Sequence, residues 1–149
     1  MNLTRRMFLV SLAVCTLSAC SAGGSIAPAS DKWHTFVVEG LQISVPSDAK
    51  MDDEVMTFGS TDFRSYSIKG ADIWVAVAIQ SDGDITGDYD IRDVNGITLY
   101  IQRPWEDTTI ILLQHDGKFY EVSLYFDKDT GTMPAYEAAC NHLIESLKF

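Results

Sequence analysis

Residues 73–79 read Ile-Trp-Val-Ala-Val-Ala-Ile, and no other stretch constrains the fold of this chain as tightly. β-Branched residues alternate with other apolar ones, so the segment is a strand. Ile73, Val75, Val77 and Ile79 line one face. Trp74, Ala76 and Ala78 line the other, where the small alanines leave room for something bulky to pack. A strand apolar on both faces belongs in the middle of a covered sheet.

The other strands follow from alternation and turn chemistry. Trp33 to Val38 and Leu41 to Val45 form a pair turned at Gly40, with Leu41, Ile43 and Val45 on one side and Gln42 and Ser44 on the other. Pro46 ends it. Residues 47–55 are acidic and lack a clear period, so a short helix and a loop are equally compatible with them. One or two modest strands are expected around Phe58, Phe63, Tyr66 and Ile68. An Asp/Gly-rich loop is expected over residues 81–93, then a turn at Val94-Asn95-Gly96 and a strand from Ile97 to Gln102. Residues 104–108 break the pattern. Thr109 to His115 and Lys118 to Phe126 are strands joined by Asp116-Gly117, two residues that tolerate the positive φ of a tight hairpin turn. Ile110, Ile111, Leu112 and Leu113 make the first apolar on both faces. The second alternates, with Tyr120, Val122, Leu124 and Phe126 facing inward.

Pro134 suits the first turn of a helix, where its missing N–H costs nothing. Tyr136, Cys140, Leu143, Ile144 and Leu147 then fall on one helical face. Glu137 near the start and Lys148 near the end have the signs the helix dipole favours. The chain is therefore expected to be α+β: a twisted antiparallel sheet with at least one face covered by the C-terminal helix. The closing Ile144-Glu145-Ser146-Leu147-Lys148-Phe149 and the order of elements over residues 33–149 resemble the PsbP-like fold, an α/β/α sandwich. The resemblance implies a second covered face but carries no functional motif, and fold alone licenses no activity.

The N-terminus carries a different kind of information. Arg5 and Arg6 precede an uncharged, mostly apolar run, Met7 to Leu17. This is short for a helix that spans a bilayer, which needs about 20 apolar residues, and suits the core of a signal peptide. Leu17-Ser18-Ala19-Cys20 resembles a bacterial lipobox, where the signal is cut and the new N-terminal cysteine is acylated with palmitate-type chains. Thr4-Arg5-Arg6-Met7-Phe8-Leu9 resembles the twin-arginine export motif, with Val10 where a lysine is usual. The two resemblances divide the chain into a signal peptide (1–19), a small, polar, Gly/Pro-bearing tether (20–30) and one globular domain (31–149). They imply lipid anchoring at Cys20 on the extracytoplasmic face of a cell membrane.

Charge narrows the partners. The net charge is −10, and loss of Arg5 and Arg6 with the signal leaves −12. Such a chain repels nucleic acid and anionic lipid headgroups, so no nucleic-acid partner is expected and attachment falls to the acyl chains. Of the three cysteines, Cys15 is discarded and Cys20 acylated. Cys140 is left alone, in the apolar helix stripe, as a buried and inert thiol.

Candidate chemistry is sparse. His34, His115 and His142 lack metal-type spacing, with His142 on the polar side of the last helix. Cys140 and His142, two apart on a helix, point to different sides and do not form a nucleophile–base pair. No Gly-x-Ser-x-Gly elbow is present, so no catalytic residue is assigned and no enzyme is expected. The acidic stretch Asp82 to Asp93 is richer. As a twelve-residue calcium loop it places oxygen ligands at Asp82, Asp84, Thr86, Asp90 and Asp93, with a carbonyl or carboxylate at Asp88 and the turn glycine at Gly87. Against calcium, a strand precedes the loop and Asp93 replaces the bidentate glutamate; a solvated acidic connection fits as well. Trp105, in the turn-forming stretch Pro104-Trp105-Glu106-Asp107, is expected to fold back on the sheet edge in preference to anchoring a partner. These residues point to a non-enzymatic envelope lipoprotein, without a cofactor, that binds or supports another envelope component. The alternative is a calcium- or small-ligand-binding lipoprotein using residues 82–93.

Overall fold

The computed structural model describes residues 32–52, 56–58, 63–81 and 83–149. The stretches expected to be signal peptide (1–19) and tether (20–30), with Cys20, and also Asp82, lie outside the described residues. Residues 32–149 form one compact unit.

Among the described residues, ten strands and one helix follow in order: β1 (Trp33–Val38), β2 (Leu41–Pro46), β3 (Lys50–Met51), β4 (Met56–Phe58), β5 (Phe63–Lys69), β6 (Ile73–Gln80), β7 (Asp90–Val94), β8 (Ile97–Trp105), β9 (Thr108–His115), β10 (Lys118–Phe126) and α1 (Met133–Ser146). The fold is α+β. The main sheet runs β3-β5-β6-β10-β9-β8-β7, with β4 also on β5, and every pairing is antiparallel. β1 and β2 make a separate hairpin. Three turns share one solution: Glu39-Gly40, Asn95-Gly96 and Asp116-Gly117 each place two successive residues at positive φ. That geometry matches the right-handed twist of the strands it joins.

The hairpin and α1 lie side by side on one face of the sheet. Gln42 N–H donates to the Lys148 carbonyl at 2.8 Å, and Ser44 N–H donates to Ser146 Oγ at 3.0 Å. Val38, Leu41, Ile43 and Val45 from the hairpin meet Tyr136, Cys140, Leu143, Ile144 and Leu147 from the helix over the inward residues of β6, β9 and β10. The expected inward set of β10 and the helix stripe are buried as the pattern predicts. Asn95 couples two elements. Its left-handed backbone makes the β7–β8 turn, and its side-chain amide donates to the Glu145 and Leu147 carbonyls at 3.0 and 2.9 Å. These are the orphan acceptors of a helix end.

Five expectations need correction. Residues 104–108 do not break the sheet: β8 continues through Pro104 to Trp105, and a register shift between Gln102 and Trp105 absorbs the proline that cannot donate to the ladder. Of residues 47–55, the described part (47–52) is not a helix or plain loop throughout, since Lys50 and Met51 pair with Lys69 and Ile68. The acidic loop ends at Tyr89, because Asp90 to Val94 is edge strand β7. Glu137 and Lys148 do not serve the helix dipole. Neither lies in a terminal turn of α1; Glu137 pairs with Arg103, and Lys148 follows the helix as a bridge to Gln42. β6 is central, yet among the described residues no helix covers its second face, where Trp74 is 44% exposed and Ala76 and Ala78 are half-buried.

Candidate functional site

Residues paired across antiparallel strands share a face. Lys69 opposes Trp74, Trp74 opposes Tyr125, Tyr125 opposes Thr108, and Thr108 opposes Trp105. One straight row therefore crosses five strands on the side away from the helix. With strands about 4.8 Å apart, Trp74 and Trp105 stand about 14 Å from each other. Trp105 is 66% exposed, which overturns the expectation that it folds back on the sheet edge. The β8 bulge and the two-residue turn after it hold it on the open face instead.

Trp74 is exposed but fixed. Its ring stacks on Tyr125 at 5.0 Å, its indole N–H donates to Ser67 Oγ at 2.8 Å, and Lys69 Nζ sits 5.8 Å from its ring centre. Beside this stack lies a hollow of about 330 Å³, walled by Trp74, Tyr125 and Ile73 and edged by Lys69, Asp72 and Asp127. The 127–131 loop borders it. Lys128 in that loop donates to Glu106 at 2.6 Å and pairs with Asp107 at 3.2 Å, tying the loop to the turn after Trp105. Gly131 is required there, because any Cβ would collide with the Phe126 ring. The next row inward is Ser67, Ala76, Ser123, Ile110 and Gln102, small and largely polar.

The chain from β6 to β7 crosses the far end of the same face. Gly83 lies against Phe119 so closely that a side chain would not fit, Ile85 sits by Tyr100 and Gln114, and Tyr89 meets Tyr100 edge-on at 6.1 Å. The candidate calcium residues that are described spread over this crossing and β7. Asp84, Thr86 and Asp88 are exposed, Asp90 accepts from Arg92 at 2.7 and 2.9 Å, and Asp93 accepts from Thr98 at 2.7 Å. Among the described residues, no three His, Cys, Asp or Glu side chains gather closely enough to hold a metal ion.

The histidines are separated and stacked: His34 on Phe36 at 4.4 Å, His115 on Phe149 at 3.7 Å and His142 on Trp33 at 3.8 Å. His142 is half-buried, with Nε2 3.1 Å from Ser44 Oγ. The Cys140 thiol, fully buried, points instead to Thr109 Oγ1 at 3.5 Å and Arg103 at 3.7 Å.

A polar cluster that the sequence did not announce locks the hairpin onto the sheet. Glu39 Oε1 accepts from Tyr66 Oη and Arg64 Nη1, each at 2.7 Å, while Lys118 lies 3.4 Å from Oε2 and Tyr120 Oη donates to the Glu39 carbonyl. The Tyr66 hydrogen bond, opposed by partial burial and reinforced by Arg64 and Lys118, holds the Glu39 carboxyl below its ordinary range. Each of the other members bonds to Glu39, so the cluster reads as a clasp. Compared with known proteins, the chain has no significant match to a family model, to a curated protein or to a solved structure.

Proposed function

We propose that this chain is a bacterial envelope lipoprotein, anchored at the extracytoplasmic face of a membrane through acylated Cys20, whose domain binds or supports another envelope component without catalysing a reaction. The anchoring reading rests on Arg5-Arg6, the short apolar run and Leu17-Ser18-Ala19-Cys20. No helix among the described residues is long and apolar enough to cross a membrane. The observation that carries the binding reading is the open sheet face. Trp74 and Trp105 are exposed on one row, and large aromatic side chains held rigid on a surface supply contact area at little entropic cost.

In this reading the domain is a variant of the PsbP-like sandwich. The hairpin, antiparallel strands and closing helix support that order; the face that lacks a described covering layer is the one given over to binding. The calcium alternative draws no support from the geometry, because Asp90 and Asp93 are engaged by Arg92 and Thr98. Its small-ligand form shifts from residues 82–93 to the hollow beside Trp74.

Two arms test the proposal. Cys20→Ala is expected to abolish metabolic lipid labelling and accumulate precursor; unchanged labelling defeats the anchoring reading. Exchange of Arg5 and Arg6 for lysine stops export if the twin-arginine machinery reads the guanidinium pair. For binding, a component that co-purifies with the chain from detergent-solubilised membranes is expected to be lost with Trp105→Ala. Equal recovery with that variant defeats the open face as the working surface.

A further inference from the structure

We propose that the outer edge of β7 pairs antiparallel with the β7 edge of a second copy of this chain, in the register that sets Ile91 opposite Ile91. The contact uses the rim of the main sheet and leaves the open face uncovered. β7 is the terminal strand of that sheet, and among the described residues it pairs with β8 alone. Asp90 to Asp93 are all exposed, including the apolar Ile91 at 61%. Such an edge presents unpaired N–H and C=O groups to another strand. The opposite rim, built from β3 and β4, is only two and three residues long in its strands and offers less.

The turn after β7 fixes which backbone groups are available. Asn95 and Gly96, both at positive φ, make a two-residue hairpin turn, and its flanking pair Val94–Ile97 exchanges both ladder hydrogen bonds. Such pairs alternate along an antiparallel strand. Val94, Arg92 and Asp90 therefore aim their N–H and C=O groups at β8, while Asp93 and Ile91 aim theirs outward. A second β7 carries the same pattern, so only registers that set outward residues opposite outward residues form a ladder. Ile91 opposite Asp93 puts Arg92 against Arg92. Asp93 opposite Asp93 opposes two carboxylates, and Ile91 opposite Tyr89 does the same at Asp90. Ile91 opposite Ile91 instead sets Asp90 against Arg92 twice, once on each side of the two-fold axis.

Opposite charges directly across a strand pair stabilise it and like charges destabilise it. Within the chain Asp90 and Arg92 form an exposed pair, Arg92 Nε and Nη2 donating to Asp90 Oδ2 at 2.9 and 2.7 Å. Arg92 Nη1 and Asp90 Oδ1 take no part in those bonds, so the partner's Asp90 and the partner's Arg92 extend the pair into a ring of alternating charge. On the other side of the strand Ile91 stands opposite Tyr100. The two-fold axis brings two such pairs together as one apolar patch. Charges on an edge strand ordinarily block pairing; here they oppose every register but one. The axis runs normal to the sheet, so both open faces, each with its Trp74 and Trp105, point the same way. Five paired residues make a small interface, and chains confined to one membrane, as proposed above, meet at high effective concentration. The register follows from the strand alone and needs no anchor.

Cysteine cross-linking of the full chain in intact cells, under a mild copper–phenanthroline oxidant, tests the pairing as a dimer band that reductant removes. Opposed residues of a hydrogen-bonded antiparallel pair have Cα atoms about 5.5 Å apart, within disulfide reach. Ile91→Cys is expected to give the dimer. Asp93→Cys, displaced from its copy by about 13 Å along the strands, is expected not to, and neither is Val37→Cys, equally exposed on the hairpin. The parent chain, whose Cys140 is buried, sets the background. In the Ile91→Cys chain, Asp90→Arg alone or Arg92→Asp alone is expected to lower the yield about tenfold, because symmetry then sets two like-charge pairs in place of two opposite ones. The two exchanges together are expected to restore it. Melting curves confirm that each variant is folded. No dimer from Ile91→Cys, an equal yield from Asp93→Cys or Val37→Cys, or a yield indifferent to the single exchanges overturns the proposal. A yield that the double exchange fails to restore overturns the register.

Discussion

Tyr136 is fully buried, and its hydroxyl lies 2.7 Å from Thr109 Oγ1, itself fully buried and touched by the Cys140 thiol at 3.5 Å. This triad joins α1 to β9 at the centre of the covered face, so Tyr136→Phe probes whether the helix sits where the structure puts it. The substitution opens almost no cavity. It leaves the Thr109 hydroxyl with only a weak sulfur partner in a site closed to water, and an unsatisfied buried hydroxyl costs about 1–3 kcal/mol. Removing both partners is different. In Tyr136→Phe/Thr109→Val, two apolar groups of similar shape face each other, and such pairs are near neutral, so the double variant is expected to recover most of the loss. Urea unfolding of the four chains gives the coupling energy directly from the midpoints at constant slope. A single-variant loss below a few tenths of a kcal/mol, or a double variant no more stable than the single, would refute the placement of the helix.

Three further outcomes are expected. Asn95→Gly keeps the positive φ of the turn but loses both bonds to the helix end, costing about 1 kcal/mol in urea unfolding, and Asn95→Ala costs about 1 kcal/mol more because its Cβ resists φ 52°. Glu39, whose carboxyl is held below its ordinary value of 4.5, contributes stability that is complete above that pH and is lost as pH falls through the lower folded value. The urea midpoint of the parent chain is therefore expected to fall more steeply below pH 4.5 than that of Glu39→Gln, and parallel curves would contradict the clasp. Millimolar calcium is expected to leave the melting temperature where matched ionic strength leaves it; a rise abolished by Asp84→Ala would restore the calcium loop.

Local chemistry made the turns and the helix legible. Asp116-Gly117, Asn95-Gly96 and Gly40 state their backbone geometry in their side chains, and the stripe from Tyr136 to Leu147 needs only one helical period. What failed was tertiary. Pro104 looks like a terminator until a bulge two strands from the sheet centre accommodates it. Glu137 looks like a dipole partner until Arg103, 34 residues away, claims it. The aromatic row was hidden for the same reason. Trp74, Trp105 and Tyr125 come from three strands, and only the registers of β6, β8, β9 and β10 put them in line. Periodicity showed that β6 is apolar on both faces; it carried no information on what lies over the second.

The central claim is that the open face is the working surface of an anchored domain. A photo-crosslinking residue at position 105, in the native chain and in growing cells, tests it most directly, with the same residue at position 37 as reference. Both positions are exposed, Trp105 at 66% and Val37 at 61%, so accessibility does not separate them. A discrete envelope adduct is expected from position 105 and none from position 37. Equal labelling from both positions, or adducts from position 37 alone, would contradict it.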